Sequence, residues 1–537
     1  MKTAEAVMSV AREHNLQNFF GIPGGGAPLD LIEAGRKLGV RFVNMSHESS
    51  AAIAAAYYGV VKRTAGLAMG IRGVGAANLV GGAANVYFER QPLVAICEAA
   101  PASATRTESV QDCEQQRMFE AVSGFQATLT APAGAEMIRQ AFGHADDGRP
   151  SPSVLHWPAG LQELENPPGS EATPLGREPS AGSLDLHRAH DFLARTRRPV
   201  LLAGADVIRD GALDDLRKFV ESIEAAVLVT MDARGVFPES HPRWAGVFLG
   251  LFNPNVIESR VFQQADGIIL AGVDAMMTHA PWKLTVPTCE LVARPQYTTL
   301  TRPEVRVDGN LKAVLSGLTG QPKPGITLDE IRSIRNGILT YFQRPARARL
   351  AAQDVIQITR ELLPRDGVLI SETGAFICML EHLWPVDRPG TYLGTSGGRT
   401  MGLMIPAALG ARMADSERPM VGMGADGSLL MRLGELEVFA RTGAAIPLVI
   451  VNDRALGTMK SRQRSRGFTD FGLDLHAVDF AAIARACGLR GVVATTPEAF
   501  RKELSEAMAA KVTTVIDAQV DPEPYHASFA PTIGILE

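Results

Sequence analysis

From residue 18 onward, short apolar runs alternate with helix-length amphipathic stretches, and this alternation limits the available folds more than any single motif does. Asn18 to Ile22 precedes a helical pattern over Leu29 to Leu38, Val40 to Met45 precedes Ser50 to Lys62, Leu67 to Ile71 precedes Ala76 to Phe88, and Leu93 to Cys97 follows. Parallel strands need a crossover of about a dozen residues or more, which a helix supplies. The pattern therefore predicts an open parallel sheet with helices on both faces. It restarts twice. After a Pro- and Gly-rich break at Gln162 to Gly182, strands are expected at Val200 to Ala203, Ala226 to Thr230 and Gly267 to Ala271, with a helix through Leu216 to Ile223. After a second joint at Thr319 to Gly325, strands are expected at Val368 to Ser371, Val421 to Met423, Leu448 to Val451 and Thr514 to Ile516, with one helix over Leu429 to Arg441. The fold class is α/β, with three open parallel-sheet domains at 1–165, 183–320 and 345–537. A chain of 537 residues has room for them at about 150 residues each.

Several function classes drop out on composition. Lys plus Arg number 53 against 58 Asp plus Glu, a formal net charge of −5 without runs of either sign, so no nucleic-acid partner is expected. No apolar run nears the ~20 residues that span a bilayer. Glu5, Arg12 and Glu13 interrupt the N-terminus, which fits neither a signal nor a transit peptide. Cys97, Cys113, Cys289, Cys378 and Cys487 stand far apart and read as reduced core residues. The expectation is a cytoplasmic protein with no membrane partner.

The chemistry is written most densely near the C-terminus. Met423-Gly424-Ala425-Asp426-Gly427-Ser428 is followed, after a helix and a strand, by Asn452-Asp453-Arg454-Ala455-Leu456-Gly457, and the two aspartates are 27 residues apart. Each stands just past the end of an expected strand, where open α/β sheets bind ligands. Two hard oxygen ligands beside a helix N-terminus near Ser428 suit Mg²⁺ and a diphosphate together. The metal takes carboxylate and phosphate oxygens, and the unpaired N–H groups face the anion. Alone, Ala-Asp-Gly-Ser reads equally well as a strand-to-helix turn with a capping Asp; the second element favours the ligand reading. Gly21 to Gly26 lacks the G-x-G-x-x-G spacing and an acidic residue at the next strand end, so NAD binding is not expected.

The paired elements resemble the diphosphate-binding domain of thiamine diphosphate-dependent enzymes, whose motif is Gly-Asp-Gly, a helix and strand, then Asn-Asn or a variant. Carried over, the resemblance implies Asp426, Asp453 and the carbonyl of Ala455 as metal ligands. It implies a cofactor contact set of Gly424, Gly427 and Ser428, then Leu456, Gly457, Thr458 and Met459, with Gly374, Ala375 and Phe376 after an earlier strand. Ala425 replaces a family glycine. Asp453 replaces a commoner amide and resembles the catabolic acetolactate synthase branch. Gly397-Gly398-Arg399-Thr400-Met401-Gly402 is similar to the stretch whose bulky apolar residue props the cofactor into a bent shape, which makes Met401 that residue and Arg399 its neighbour. Met401 also reads as ordinary core packing.

In the first domain the resemblance makes Glu48, in Met45-Ser46-His47-Glu48, the residue that hydrogen-bonds the cofactor's pyrimidine nitrogen. A Glu before a helix also reads as a dipole-compensating cap, but the flanking Gly21 to Gly26 and Arg72 to Asn78 match the family pattern. Gln111 matches a pocket Gln and reads equally as a polar loop residue. For His47 a structural hydrogen-bonding role is expected, and Arg72 reads as a grip for a carboxylate or CoA phosphate or as a surface ion pair.

What the resemblance implies is a thiamine diphosphate- and Mg²⁺-dependent lyase or transferase, acetolactate synthase-like, that decarboxylates a 2-oxo acid with or without carboligation. The alternatives are a 2-hydroxyacyl-CoA lyase similar to oxalyl-CoA decarboxylase, acting on an acyl-CoA, and a non-catalytic cofactor-binding paralogue. The central domain is left open to FAD, to ADP or to no nucleotide. It carries Gly272 to Met277 where the biosynthetic synthases have an Arg-bearing segment, and Lys460-Ser461-Arg462-Gln463 lacks their aromatic residue, so valine and isoleucine biosynthesis is not expected. Because family sites combine first and third domains of different subunits, a homodimer or homotetramer with sites at the subunit interface follows.

Overall fold

The computed structural model describes residues 1–537 except 102, 104–109, 147, 166–182, 251–255, 257, 278–284, 295–300, 319–324, 523–524, 530–531 and 533–537. Most of the first expected linker and nearly all of the second lie outside the described residues.

Among the described residues, three six-stranded sheets form, and every strand pair in them is parallel. The first contains β1 (Asn18–Gly21), β2 (Arg41–Asn44), β3 (Gly66–Gly70), β4 (Leu93–Ala99), β5 (Phe125–Thr128) and β6 (Pro152–Pro158). The second contains β7 (Pro199–Ala203), β8 (Ala226–Thr230), β9 (Trp244–Phe248), β10 (Gly267–Ala271), β11 (Thr288–Val292) and β12 (Val305–Asp308). The third contains β13 (Val368–Ser371), β14 (Tyr392–Leu393), β15 (Met420–Ala425), β16 (Pro447–Asn452), β17 (Arg490–Ala494) and β18 (Thr514–Gln519). Strands such as β3, β7 and β16 are buried along their whole length. Helices cover both faces, which is why these strands read as unbroken apolar runs and not as an alternation.

The spatial order is β2-β1-β3-β4-β6-β5 in the first sheet and β14-β13-β15-β16-β18-β17 in the third, the same winding in both. The central sheet runs β12-β11-β10-β7-β8-β9. Each order reverses next to its first strand, and the crevice outside the strand ends at that reversal is where such sheets bind ligands.

The first and third units share one apolar core. Helix Glu48–Lys62 packs against helix Met404–Ala414, and their buried residues join a single cluster with the two sheets. Gly410 makes this close: a Cβ there would overlap the carbonyl of Ala54. Helix Glu48–Lys62 is Ala-rich and capped by His47, whose Nδ1 accepts the backbone N–H of Ser49 at 3.1 Å, and it ends at Arg63 with φ 59°. The structural role expected for His47 is therefore seen.

The single helix expected over Leu429 to Arg441 is two, Asp426–Leu430 and Glu435–Thr442. Tertiary contacts break it. Ser46 Oγ donates to the carbonyl of Gly434 at 2.9 Å, Arg432 donates through Nη1 to Ser49 Oγ at 2.8 Å, and its Nε donates to the Gly402 carbonyl at 3.3 Å. Among the described residues no helix is long and apolar enough to cross a membrane.

Candidate active site

The crevice between the ends of β13 and β15 holds a cavity of about 240 Å³. Asp426 follows β15 directly and is 2% exposed; its Oδ1 accepts the N–H of Gly427 at 2.7 Å and its Oδ2 that of Arg454 at 2.8 Å. Asp453 follows β16, and its Oδ1 accepts the N–H of Ala455 at 3.0 Å. Arg454, directly after Asp453, adopts φ 57°, and its N–H ties the second loop to Asp426 of the first. Burial raises the Asp426 carboxyl to about 6, and burial together with the charge of Asp426 raises Asp453 to about 7. Carboxylates whose ionisation is disfavoured by burial and by a neighbouring carboxylate suit a bound cation. No cluster of three or more His, Cys, Asp or Glu side chains suited to a metal occurs among the described residues, so further ligands to a metal here would be carbonyl, phosphate or water oxygens.

The floor is shaped for a close approach. A Cβ on Gly427 would come within 3.0 Å of Leu456 and 3.5 Å of Met401, and a Cβ on Gly457 would lie 2.9 Å from Ala375 and crowd the Asp453 carboxylate. Helix Gly457–Ser465 starts at the cavity, and the first N–H groups of a helix have no partner within it. A divalent cation with a diphosphate fits this donor set: carboxylates, a helix start, and backbone approached without side chains in the way.

Of the residues expected from the sequence, Gly374, Ala375, Phe376, Arg399, Met401, Asp426, Gly427, Ser428, Asp453, Ala455, Leu456, Gly457, Thr458 and Met459 line this cavity together. Gly424 does not. It lies within β15 with the Glu372 carboxylate packed over it. Glu372 was not picked out in the sequence, yet it ties three segments together, accepting the N–H of Met404 at 3.0 Å and that of Ala425 at 3.2 Å, and burial raises it to about 7. Tyr525 is another residue missed, as are the cavity-lining Thr373, Ala425 and Val451. The tyrosine lines the cavity, is buried, and its hydroxyl is pushed up first by burial and then by the two aspartates. A lone aromatic near the C-terminus carries no local signal for this; a carboxylate directly after a strand, as in Ser371-Glu372-Thr373-Gly374, does.

Glu48 is 7% exposed at the N-terminus of its helix, and its Oε2 accepts from Asn78 Nδ2 at 3.0 Å. Gly75 lies against it, close enough that a Cβ there would be 3.2 Å from Oε1. Gln111, with φ 62°, is exposed and packs its backbone against Gly73 in the turn after β3. Glu48 and Gln111 thus both lie against the glycines that follow β3, Gly75 and Gly73. Among the described residues, none from the first unit lines the 240 Å³ cavity.

The crevice of the central sheet is of another kind. The loops after β7 and β10 bond to each other, Gly204 N–H to the Ala271 carbonyl at 2.9 Å and Asp206 N–H to the Gly272 carbonyl at 3.2 Å. Asp206 and Asp274 are buried there, paired with Arg209 at 2.7 Å and with Arg90 and Arg149 of the first unit at 2.8 and 3.1 Å.

The site and topology define a class, and comparison with known proteins agrees. Residues 1–118, 186–318 and 372–518 match, in order, the N-terminal TPP binding domain, the central domain and the C-terminal TPP binding domain of thiamine pyrophosphate enzymes. The chain belongs to the thiamine pyrophosphate enzyme family. Its relatives include the probable acetolactate synthase large subunit of Methanocaldococcus jannaschii, 24% identical over 97% of this chain and 92% of that protein. The acetolactate synthase isozyme 3 large subunit of Escherichia coli is 26% identical over 94% and 92%, and the sulfoacetaldehyde acetyltransferase of Rhodobacter capsulatus is 28% identical over 97% and 95%.

Proposed function

We propose that this protein is a thiamine diphosphate- and Mg²⁺-dependent enzyme that breaks, or breaks and re-forms, a carbon–carbon bond next to the carbonyl of a 2-oxo acid. The observation that carries the reading is the Asp426 and Asp453 pair at adjacent strand ends over a cavity floored by Met401, Leu456 and two glycines. When bound, thiamine diphosphate supplies an electron sink for the carbon–carbon bond that breaks; the protein supplies binding, orientation and proton handling. Asp426, Asp453 and the Ala455 carbonyl would hold Mg²⁺ against the diphosphate, and the first N–H groups of helix Gly457–Ser465 would face its oxygens. Met401 and Leu456 would shape the cofactor. Glu48 would hold and exchange a proton at the pyrimidine nitrogen, its carboxylate oriented by Asn78.

Because, among the described residues, none of the first unit lines the cavity, the second half of the site is proposed to come from a partner subunit, which presents its own Glu48. A CO₂-release screen across 2-oxo acids, run with Mg²⁺ and thiamine diphosphate, tests the reaction. The reading expects release with at least one acid. Cofactor binding without release from any 2-oxo acid would move the assignment to acyl-CoA cleavage.

A further inference from the structure

The loop that brings Met401 to the cavity is held from the first unit. Glu89, just past helix Val74–Phe88, is 2% exposed and accepts four hydrogen bonds from one short stretch of the third unit. Its Oε1 accepts from Thr395 Oγ1 at 2.8 Å and from the N–H of Gly398 at 3.0 Å; its Oε2 accepts from the N–H of Ser396 at 2.7 Å and from Ser396 Oγ at 2.6 Å. The backbones also touch. A Cβ on Gly397 would overlap the Phe88 carbonyl, and one on Gly398 would come within 2.9 Å of Glu89 Oε1, so the loop rides directly on the helix end.

From this anchor the chain runs to the cavity in three residues. Arg399, with φ 43°, turns it, Met401 lines the cavity, and Gly402, with φ 76°, turns it away again. A segment with two left-handed residues around its functional side chain has no regular ladder to hold it, and the Glu89 carboxylate supplies what a ladder would. A backbone N–H, which can only donate, faces each oxygen: Gly398 on Oε1 and Ser396 on Oε2. The site therefore requires an acceptor-only carboxylate, and an amide would set its own hydrogens against the donors of Ser396 or Gly398. The same helix begins beside Glu48, where Asn78 donates to it.

We propose that Glu89 is a positioning residue for the cofactor: by clamping Thr395 to Gly398 it sets where Met401 stands against Gly427 in the cavity. The inference rests on the reading of the cavity as the thiamine diphosphate site. The test compares full-length wild type with Glu89→Gln and Glu89→Asp, reading thiamine diphosphate Kd at saturating Mg²⁺, the near-ultraviolet circular dichroism of the bound cofactor, kcat and the unfolding midpoint. Glu89→Gln is expected to weaken the cofactor about tenfold, lower kcat at saturating cofactor and change the dichroism. Glu89→Asp, which keeps an acceptor-only anion, is expected to recover part of each. A lowered midpoint with wild-type Kd and dichroism would show a purely structural role and overturn the proposal. Should Glu89→Gln fail to fold, Thr395→Val with Ser396→Ala removes two donors from the clamp, and an unchanged Kd in that variant overturns it as well. Wild-type protein that binds no thiamine diphosphate overturns the site reading and this proposal together. Wild-type binding with an unchanged Glu89→Gln overturns the proposal alone.

Discussion

Asp453 and Glu48 carry the account at the residue scale. Glu48→Gln keeps the shape of the side chain and an acceptor for Asn78 but cannot exchange a proton, so it is expected to retain cofactor binding and lose at least about 100-fold in turnover; turnover near wild type would remove Glu48 from the proton path. The aspartate pair makes a pH prediction. The folded-state values of about 6 for Asp426 and about 7 for Asp453 lie above the ordinary 3.8. The metal-free fold therefore gains a proton-linked stability that is fully present below that ordinary value and is lost as pH rises through about 7. Mg²⁺ competes with those protons, so the cofactor-plus-metal stabilisation should be larger near about pH 8 than near about pH 6. Thermal unfolding with and without Mg²⁺ and thiamine diphosphate checks this, and Asp453→Asn should flatten the dependence. The two aspartates were legible because their chemistry and spacing are local. Glu372 was legible in principle, as a carboxylate directly after a strand, but its bonds to Met404 and Ala425 are made only in the fold; Tyr525 was not, because a lone aromatic far along the chain reaches the cavity only through packing.

At the element scale, strands buried on both faces were readable from their apolar runs, as with β7, β8 and β10. Others were missed for physical reasons. Proline stands at both ends of β6, where it reads as a breaker, and β14 is only two residues long. The helix expected from Leu429 to Arg441 failed at Met431 to Gly434, where Ser46 and Ser49 of the first unit bind the chain in a turn. Gly410 sits at another contact between these units. Its replacement by Val would drive a side chain into the Ala54 carbonyl, and is expected to destabilise the protein by about 1–3 kcal/mol, seen as a lower unfolding midpoint with weakened cofactor binding. A midpoint equal to wild type would mean that the two helices have room to separate.

At the scale of the whole molecule, the first and third units share one winding, yet among the described residues none of the first unit lines the third unit's cavity. If the halves meet across a subunit interface, co-expressed Glu48→Gln and Asp426→Ala chains will form mixed dimers in which one site has both native halves. Such preparations should recover activity that neither variant shows alone, and a lack of recovery in verified mixed dimers would place both halves in one chain. The central claim is that Asp426 and Asp453 bind thiamine diphosphate through a divalent metal. Isothermal titration of metal-stripped protein with thiamine diphosphate, in the presence and absence of Mg²⁺, tests it most directly. The account predicts binding of one cofactor per chain that requires Mg²⁺ and disappears in Asp426→Ala. Binding that is indifferent to Mg²⁺, or no binding by the wild-type chain, would contradict it.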